Sequence, residues 1–288
     1  MALYRPAGNS GVKAACTGQP TPAVILFRAP GHRSGRAMLT LLKRLTSRQS
    51  PEAKCSQAEA PKLQNAEIAA AFCEVRQGGE FCDFIRVRND RVLFGLLDVA
   101  GTVETTRAIV AAAQQTFRTR GAQLFSQEGI NEPDAMSTLC HDINRAILSS
   151  ARGVRSCPAF IGCYNEDLGI VCYLNAGHTP GLLTAGEDVS ELRATTLPLG
   201  LFSHVTTDAP MVALPPGAVM LLVSRGVVEG RRKREEFGLG RVKQYLQNGA
   251  PPSANEICTG VLDTLRQYVG RALTYNDVTT LALVRGGT

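Results

Sequence analysis

From about residue 67 onward, short apolar segments and longer segments with helical spacing follow one another along the chain. Short runs of apolar and β-branched residues, bounded by Gly, Pro, Asn or Asp, predict strands. These runs are 83–88, 91–99, 159–164, 170–175, 181–184, 209–214, 218–223 and 278–284. Apolar positions three or four residues apart predict helices. The predicted helices cover 104–118, 132–150, 238–247 and 253–269.

The predicted elements cluster by type along the chain. Two strands come first, then two helices, five strands, two more helices and a last strand. A doubly wound parallel sheet requires strands and helices to alternate, whereas clustered strands favour antiparallel sheets that are covered by helices. We therefore expect an α+β fold.

The N-terminal segment 1–60 lacks this periodicity and is rich in Gly, Pro, Ala, Ser and Arg. We predict a basic, disordered extension over 1–60 and one folded domain over 61–288. Residues 38–48 combine leucines with basic residues and are compatible with a short amphipathic helix. This helix would act as a linker, make a peripheral contact with an acidic membrane surface, or imitate a transit peptide. Translation starting at Met38 is a further alternative.

The formal net charge of +6 is unevenly distributed. Residues 1–62 contain ten Lys and Arg against two Glu, whereas the remainder contains 21 against 23 acidic residues. The folded part is therefore close to neutral, which argues against a nucleic-acid-binding function. No apolar run approaches the roughly 20 residues that a membrane-spanning helix needs.

The nine cysteines form no CxxC pair and no cluster with histidine. Some of them, such as Cys163 and Cys172, lie within apolar segments that predict strands. This distribution indicates buried, reduced thiols in a cytoplasmic protein and argues against a zinc site or a disulfide framework.

Eight short motifs in a fixed order resemble those of the PPM family of metal-dependent serine/threonine phosphatases, in particular its SpoIIE-like branch. The family reads, in order, GGDxxD, DVSG, AGHxP, PLG, LxPGD, TDGVTE, FG and DDxT. The matching segments are Gly78–Asp83, Asp98–Gly101, Ala176–Pro180, Leu197–Gly200, Leu214–Gly217, Ser224–Glu229, Phe237–Gly238 and Asn276–Thr279.

The resemblance implies an α-β-β-α sandwich, in which two antiparallel sheets are flanked by pairs of helices and the active site lies at one edge. It also implies two Mg²⁺ or Mn²⁺ ions, which prefer oxygen ligands and generate the attacking hydroxide from a bound water. The ligands that it implies are Asp98, Glu80 and the backbone carbonyl of Val99. Asp83 ends the first motif, and we expect it to order the local turn.

Two positions depart from the family's pattern of carboxylate ligands. Arg225 replaces an Asp, and a guanidinium group has no lone pair to offer a cation. Asn276 replaces another Asp and offers only a weak carbonyl ligand without charge. Asp277 is adjacent, but because side chains alternate along a strand we expect it to point elsewhere.

These departures leave three functions open. In a pseudophosphatase, Arg225 would occupy the position of a lost cation and pair with Asp98 and Glu80. A weak Mn²⁺- or Mg²⁺-dependent phosphatase would act on a phosphoserine or phosphothreonine protein, such as the anti-sigma-factor antagonists typical of this branch. A phosphate reader would bind a phosphoryl group through Arg225 without cleaving it.

Two further features are secondary candidates. His178 titrates near neutral pH in its unperturbed state and is a minor candidate for a general acid, although a structural role is common in such a turn. The basic run 231–234 predicts a solvated loop close to the cavity and is a candidate contact for an acidic or phosphorylated partner.

Overall fold

The structure is a computed structural model, and it describes residues 55–57, 60–73, 79–186, 188–204, 206–249, 253–270 and 277–287. Nearly all of the predicted extension over 1–60, including the candidate helix at 38–48, lies outside the described residues. That division of the chain remains a prediction.

Helices and strands follow the predicted order, with several additions. The strands are β1 Cys55–Gln57, β2 Ala66–Cys73, β3 Glu80–Arg88, β4 Arg91–Asp98, β5 Ala159–Asn165, β6 Ile170–Ala176, β7 Gly181–Ala185, β8 Asp188–Leu192, β9 Met211–Ala213, β10 Val219–Val223, β11 Arg231–Arg232, β12 Glu235–Glu236 and β13 Val278–Arg285. The helices are α1 Val103–Phe125, α2 Glu132–Ser150, α3 Arg225–Val228, α4 Gly238–Gln247 and α5 Ala254–Val269.

The strands form two antiparallel sheets and one short hairpin. The six-stranded sheet has the order β1-β2-β13-β10-β7-β8, and the five-stranded sheet has the order β3-β4-β5-β6-β9. The hairpin pairs β11 with β12. All named strand pairs are antiparallel, which confirms the expected α+β class.

Three apolar clusters fill the spaces between neighbouring layers. One lies between α1, α2 and the five-stranded sheet, and it includes Ile109, Phe117 and Ile143. A second lies between α4, α5 and the six-stranded sheet. The third joins the inner faces of the two sheets through residues such as Phe94 and Leu281. This order of layers confirms the α-β-β-α sandwich.

Helix α1 is longer than the predicted 104–118 and continues to Phe125. Gly121 lies within the added turns, and the helix continues through it. At this position the helix backbone lies close to the five-stranded sheet. A Cβ atom at this position would lie 2.4 Å from Cδ2 of Leu93 on β4. An alanine at this position would therefore require the Leu93 side chain or the helix to shift.

Strand β2 is absent from the elements predicted by periodicity, although it lies between β1 and β13 in the sheet. Its sequence, AEIAAAFC, is rich in alanine and therefore has little β-propensity of its own. Pairing with β13 along residues 66–73 overrides that weak local preference. Strands β1, β8, β11 and β12 were likewise not predicted, and each has five residues or fewer.

The cysteines largely follow the sequence expectation. Cys82, Cys140, Cys157, Cys163, Cys172 and Cys258 are free thiols, and all but Cys82 are buried. Cys73 is disulfide-bonded, which corrects the expectation that the thiols are uniformly reduced. Among the described residues, none of the helices is long and apolar enough to cross a membrane.

Candidate functional site

Two carboxylates from neighbouring strands lie side by side at one edge of the five-stranded sheet. Glu80 is the first residue of β3, Asp98 is the last residue of β4, and the two are direct partners in the antiparallel register. The chain leaves β4 through a turn at Gly101, whose φ of +148° favours glycine. The amide of Asp98 donates to the carbonyl of Pro158 over 2.9 Å, which fixes this strand end.

Two strands of the six-stranded sheet, β10 and β13, reach the same edge through the end of β10 and the start of β13. Ser224 follows β10, and its amide donates to the carbonyl of Thr279 over 2.8 Å. The amide of Thr279 donates in return to the Ser224 hydroxyl over 3.0 Å. The Thr279 hydroxyl then donates to Oε2 of Glu80 over 2.8 Å, so that this carboxylate is bonded to the opposite sheet.

A cavity of about 440 Å³ opens at this edge. Its lining includes the carboxylate residues Glu80, Asp98, Glu104 and Asp277, together with the cationic residue Arg225. The expectation that Asp277 points elsewhere is therefore wrong. Asp277 immediately precedes β13, so the side-chain alternation of a regular strand does not govern its direction.

Arg225 reaches the cavity from the first residue of the short helix α3. Its Nε lies 3.4 Å from Oδ2 of Asp98 and 3.7 Å from Oε1 of Glu229. The Arg225 side chain is 53% exposed, whereas that of Asp98 is 13% exposed. The expected pairing of Arg225 with Glu80 is absent among the ion pairs of the described residues, and Glu80 bonds Thr279 instead.

The electrostatic environment disfavours ionisation of the two neighbouring carboxylates. Burial, followed by repulsion from Asp98, raises the pKa of Glu80 to about 8. Burial also raises the pKa of Asp98, while the adjacent Arg225 opposes that rise and Glu229 and Asp277 add to it. The cavity therefore contains more carboxylate groups than nearby cations can neutralise.

Asp83 lies outside the cavity lining, on a buried stretch of β3. Its carboxylate forms a two-pronged ion pair with Arg118 of α1, with distances of 2.6 Å from Nε to Oδ2 and 2.7 Å from Nη2 to Oδ1. Gln114 also donates to its Oδ2 over 3.0 Å. Asp83 thus fastens helix α1 to the sheet, which corrects the expectation that it orders a local turn.

His178 is buried, and it is not part of the cavity lining. Its Nδ1 lies 3.1 Å from the carbonyl oxygen of Thr179, and its amide donates to Oδ1 of Asn175 over 2.8 Å. Burial lowers the pKa of His178 to about 4. The imidazole is therefore neutral at physiological pH and stabilises the turn, which does not support its candidacy as a general acid.

Of the two remaining expected ligands, the structure describes Val99 but not Asn276. Val99 lines the cavity, and its amide donates to the carbonyl of Gly79 over 2.7 Å, which holds this backbone segment in place. Asn276 lies outside the described residues, so its expected role as a weak ligand stays a prediction. Ser224 and Thr279 were not singled out from the sequence, although both belong to motifs that carry the resemblance.

Two solved structures share this architecture. The RsbU and RsbW domains of Rv1364c from Mycobacterium tuberculosis match with a TM-score of 0.62 and 23% identity, over 77% of this chain and 62% of that chain. The PP2C phosphatase domain of SpoIIE from Bacillus subtilis, solved with a fragment of its regulatory domain, matches with a TM-score of 0.61 and 16% identity, over 88% and 77%. The fold is that of the PPM phosphatases.

Sequence comparison narrows this class. The family model described as Stage II sporulation protein E (SpoIIE) matches residues 88–285, and the chain belongs to this family. It is also 26% identical to Protein IcfG of Synechocystis sp. over 131 residues, which are 44% of this chain and 20% of that protein. The chain thus spans about a fifth of the length of this curated relative.

Homologues in the PPM family depend on Mg²⁺ or Mn²⁺, and the residues of this cavity do not fit such a two-cation centre. In the part of the chain that the structure describes, no group of three or more His, Cys, Asp or Glu side chains is arranged to hold a metal ion. One oxygen of Glu80 accepts from Thr279, and one oxygen of Asp98 faces Arg225. Among the described residues, the donor set therefore does not offer the convergent carboxylates that two hard cations need.

Proposed function

We propose that this chain is a pseudophosphatase, a regulatory binding module that keeps the PPM fold without the two-metal chemistry. The observation that carries the proposal is the 3.4 Å approach of Arg225 Nε to Asp98 Oδ2 at the edge of the cavity. A guanidinium group supplies one positive charge next to the carboxylate that the family uses as a metal ligand. A cation arriving there would meet a carboxylate that is already paired with a guanidinium group, and the guanidinium itself has no lone pair to offer a metal.

The hydrogen bonding of the cavity supports this proposal. Glu80 is held by the hydroxyl of Thr279, and Ser224 and Thr279 bond each other. The two sheets are therefore joined at this edge by the protein's own groups. Bridging by metal ions is not needed to hold the strand ends together.

A second candidate is a weak phosphatase that uses a single Mn²⁺ or Mg²⁺ ion. Asp277 favours it, because this residue lines the same cavity as Glu80 and Asp98 and adds a third carboxylate near them. Its substrate would be a phosphoserine or phosphothreonine protein, of the anti-sigma-antagonist type that the resemblance implies. In either function the partner that we propose is a protein.

Calorimetric titration with Mn²⁺ tests the main proposal. The wild-type chain is compared with the double variant Arg225→Asp/Asn276→Asp, which restores both carboxylates of the family's pattern. We expect no binding heat from the wild type and saturable binding by the double variant. Adding Asp98→Ala to the double variant should abolish the restored binding, which would show that the metal enters this cavity.

Turnover of a phosphoserine peptide separates the two candidates. A pseudophosphatase hydrolyses no peptide with or without Mn²⁺. If the wild type instead binds Mn²⁺ tightly and shows Mn²⁺-dependent turnover that disappears in Asp98→Ala, the pseudophosphatase proposal is wrong and the weak phosphatase is correct. Asp277→Asn would then reduce turnover if this carboxylate had taken over a ligand position.

A further inference from the structure

The β11–β12 hairpin carries a dense group of positive charge on a rigid support. It begins three residues after α3 ends, at Arg231, and its two strands pair Arg231 with Glu236 and Arg232 with Glu235. The residues of the turn complete the run Arg231–Arg234, and all four are exposed. Lys233 has a φ of +59°, which marks the tip of the turn.

Both acidic residues of the hairpin are engaged in ion pairs, one within the hairpin and one with a neighbouring helix. Glu236 forms an ion pair with Arg231, and Glu235 forms one with Arg241 of helix α4. Among the ion pairs of the described residues, none involves Arg232, Lys233 or Arg234. Three cations at the tip therefore form no ion pair among the described residues, although Glu235 is the cross-strand neighbour of Arg232.

Several contacts hold the base of the hairpin in position. The amide of Phe237 donates to the carbonyl of Gly230 over 2.7 Å, and the Phe237 ring is buried. The Tyr268 hydroxyl, from helix α5, lies 3.3 Å from the carbonyl oxygens of both Glu235 and Glu236. The guanidinium of Arg241 stacks 4.5 Å from the centre of the Tyr268 ring. The tip is thus presented on a preformed support, which reduces the entropy lost on binding.

We propose that the tip residues Arg232, Lys233 and Arg234 form a docking site for an acidic segment of a protein partner. Charge complementarity identifies the partner, because three exposed cations on a nearly neutral domain attract carboxylate-rich chains. The tip itself contains no apolar side chain that could insert into a lipid bilayer.

This site acts independently of metal binding in the cavity. Arg231 lies six positions after Arg225, and six extended residues span at most roughly 22 Å, so a partner docked on the tip would lie close to the cavity. Docking there requires no catalysis, and the docking site stands whether the chain is a pseudophosphatase or a weak phosphatase.

The test measures binding of a fluorescein-labelled decaglutamate peptide to the full chain by fluorescence anisotropy at low salt. The charge reversal Arg232→Glu/Lys233→Glu/Arg234→Glu should weaken binding at least about tenfold, because three charge pairs are lost. A milder variant, Arg232→Gln/Lys233→Gln/Arg234→Gln, should weaken binding in the same direction and guards against misfolding of the first.

A charge-matched control is available on the opposite helical layer. The variant Arg107→Glu/Arg145→Glu/Arg152→Glu changes three exposed residues and alters the net charge by the same amount. It should keep the wild-type affinity, apart from a small general effect of net charge. Equal losses in the hairpin variant and this control would overturn the proposal, because the peptide would then be responding to overall charge.

Two further measurements complete the test. The double variant Arg225→Asp/Asn276→Asp should keep the dependence of peptide binding on Arg232, Lys233 and Arg234, apart from a general weakening because its net charge is lower by three. Failure of the metal experiment and failure of this one are therefore distinguishable. Vesicles of anionic phospholipid and a short DNA duplex are titrated in parallel. If the hairpin variant lost affinity for either of these while keeping its affinity for the peptide, the acidic protein segment would be the wrong partner.

Discussion

The hydroxyl of Thr279 donates a 2.8 Å hydrogen bond to Oε2 of Glu80, although 199 positions separate the two residues in the sequence. Glu80 begins β3 in the five-stranded sheet, and Thr279 lies near the start of β13 in the six-stranded sheet. The bond therefore joins the two sheets at the edge where the cavity opens. Thr279 itself is only 4% exposed, so water cannot readily replace its hydroxyl.

Replacing Thr279 with Val should destabilise the protein. Valine has nearly the same shape but no hydroxyl, so the buried carboxyl group of Glu80 loses the bond from Thr279 and keeps the one with Ser224. The loss of one such hydrogen bond costs about 1 kcal/mol. Urea unfolding at neutral pH measures this as a lower transition midpoint with an unchanged slope.

The variant Thr279→Ser provides the matched control. Serine keeps the hydroxyl and loses one methyl group, so we expect a smaller loss of stability than for valine. If the serine variant were the less stable of the two, the methyl packing of Thr279 would matter more than its bond to Glu80.

Arg225→Ala should lower the stability by about 1 kcal/mol at low salt. The side chain of Arg225 is half exposed, which limits what its ion pair contributes, but its partner Asp98 is mostly buried and would lose its neutralising charge. The effect should shrink at ~1 M NaCl, where charges more than about 3 Å apart are screened. Urea unfolding of both proteins at two salt concentrations measures it.

A more exposed ion pair on the same chain gives the comparison. Arg193 lies 2.9 Å from Glu191, and its side chain is 80% exposed. Arg193→Ala should therefore change the stability by less than Arg225→Ala does. Equal effects for the two variants would mean that the approach of Arg225 to Asp98 has no special role in the cavity.

Periodicity in the sequence was sufficient to predict the layers but not all of the strands. Helices α2 and α4 begin and end as predicted, because their apolar positions recur at helical spacing. The start of α2 also carries a clear signal, since the side chain of Asn131 accepts from the amide of Asp134 and a proline lies in the first turn. Strand β2 was missed because four of its eight residues are alanine, and its place between β1 and β13 depends on pairing that no local pattern reveals.

For the cavity too, the sequence predicted which residues lie together but not all of their contacts. Motif order was enough to predict that Glu80, Asp98 and Arg225 share one edge, where the structure places them. The direction of Asp277 was predicted incorrectly, because a rule for regular strands was applied to the residue just before one. The bond from Arg118 to Asp83 joins residues 35 positions apart across two elements, and no sequence spacing encodes it.

Gly121→Ala should destabilise the protein, although alanine is normally the better helix former. The new Cβ would lie 2.4 Å from Cδ2 of Leu93, so helix α1 or the leucine must move. Overpacking of this kind typically costs about 1–3 kcal/mol, which exceeds the gain in helix propensity of about 1 kcal/mol. Thermal unfolding monitored by circular dichroism measures the change.

A second helical glycine gives the opposite expectation. Gly240 lies in helix α4, and a Cβ atom there would meet no other atom within 4 Å. Gly240→Ala should therefore stabilise the protein by up to about 1 kcal/mol, since only the helix propensity changes. If both substitutions shifted the stability in the same direction, the contact with Leu93 would not be the cause.

The buried His178 should make the stability depend on pH below neutrality. Burial lowers the pKa of His178 in the folded protein to about 4, from a usual value near 6.5. Above pH 6.5 the imidazole is neutral in both states and contributes no pH dependence. Between pH 6.5 and about 4 the unfolded chain binds a proton that the folded chain excludes, so stability falls as the pH falls, by up to about 1.4 kcal/mol per pH unit.

Unfolding free energies of the wild type and of His178→Gln, measured in urea from pH 7.5 to 4.5, isolate this contribution. The gap between the two proteins should narrow as the pH falls, because glutamine cannot take up the proton. His204 is exposed, so the variant His204→Gln serves as a control for the loss of a histidine outside the core. Parallel curves for His178→Gln and the wild type would show that the buried imidazole is protonated equally in both states, contrary to its position in the turn.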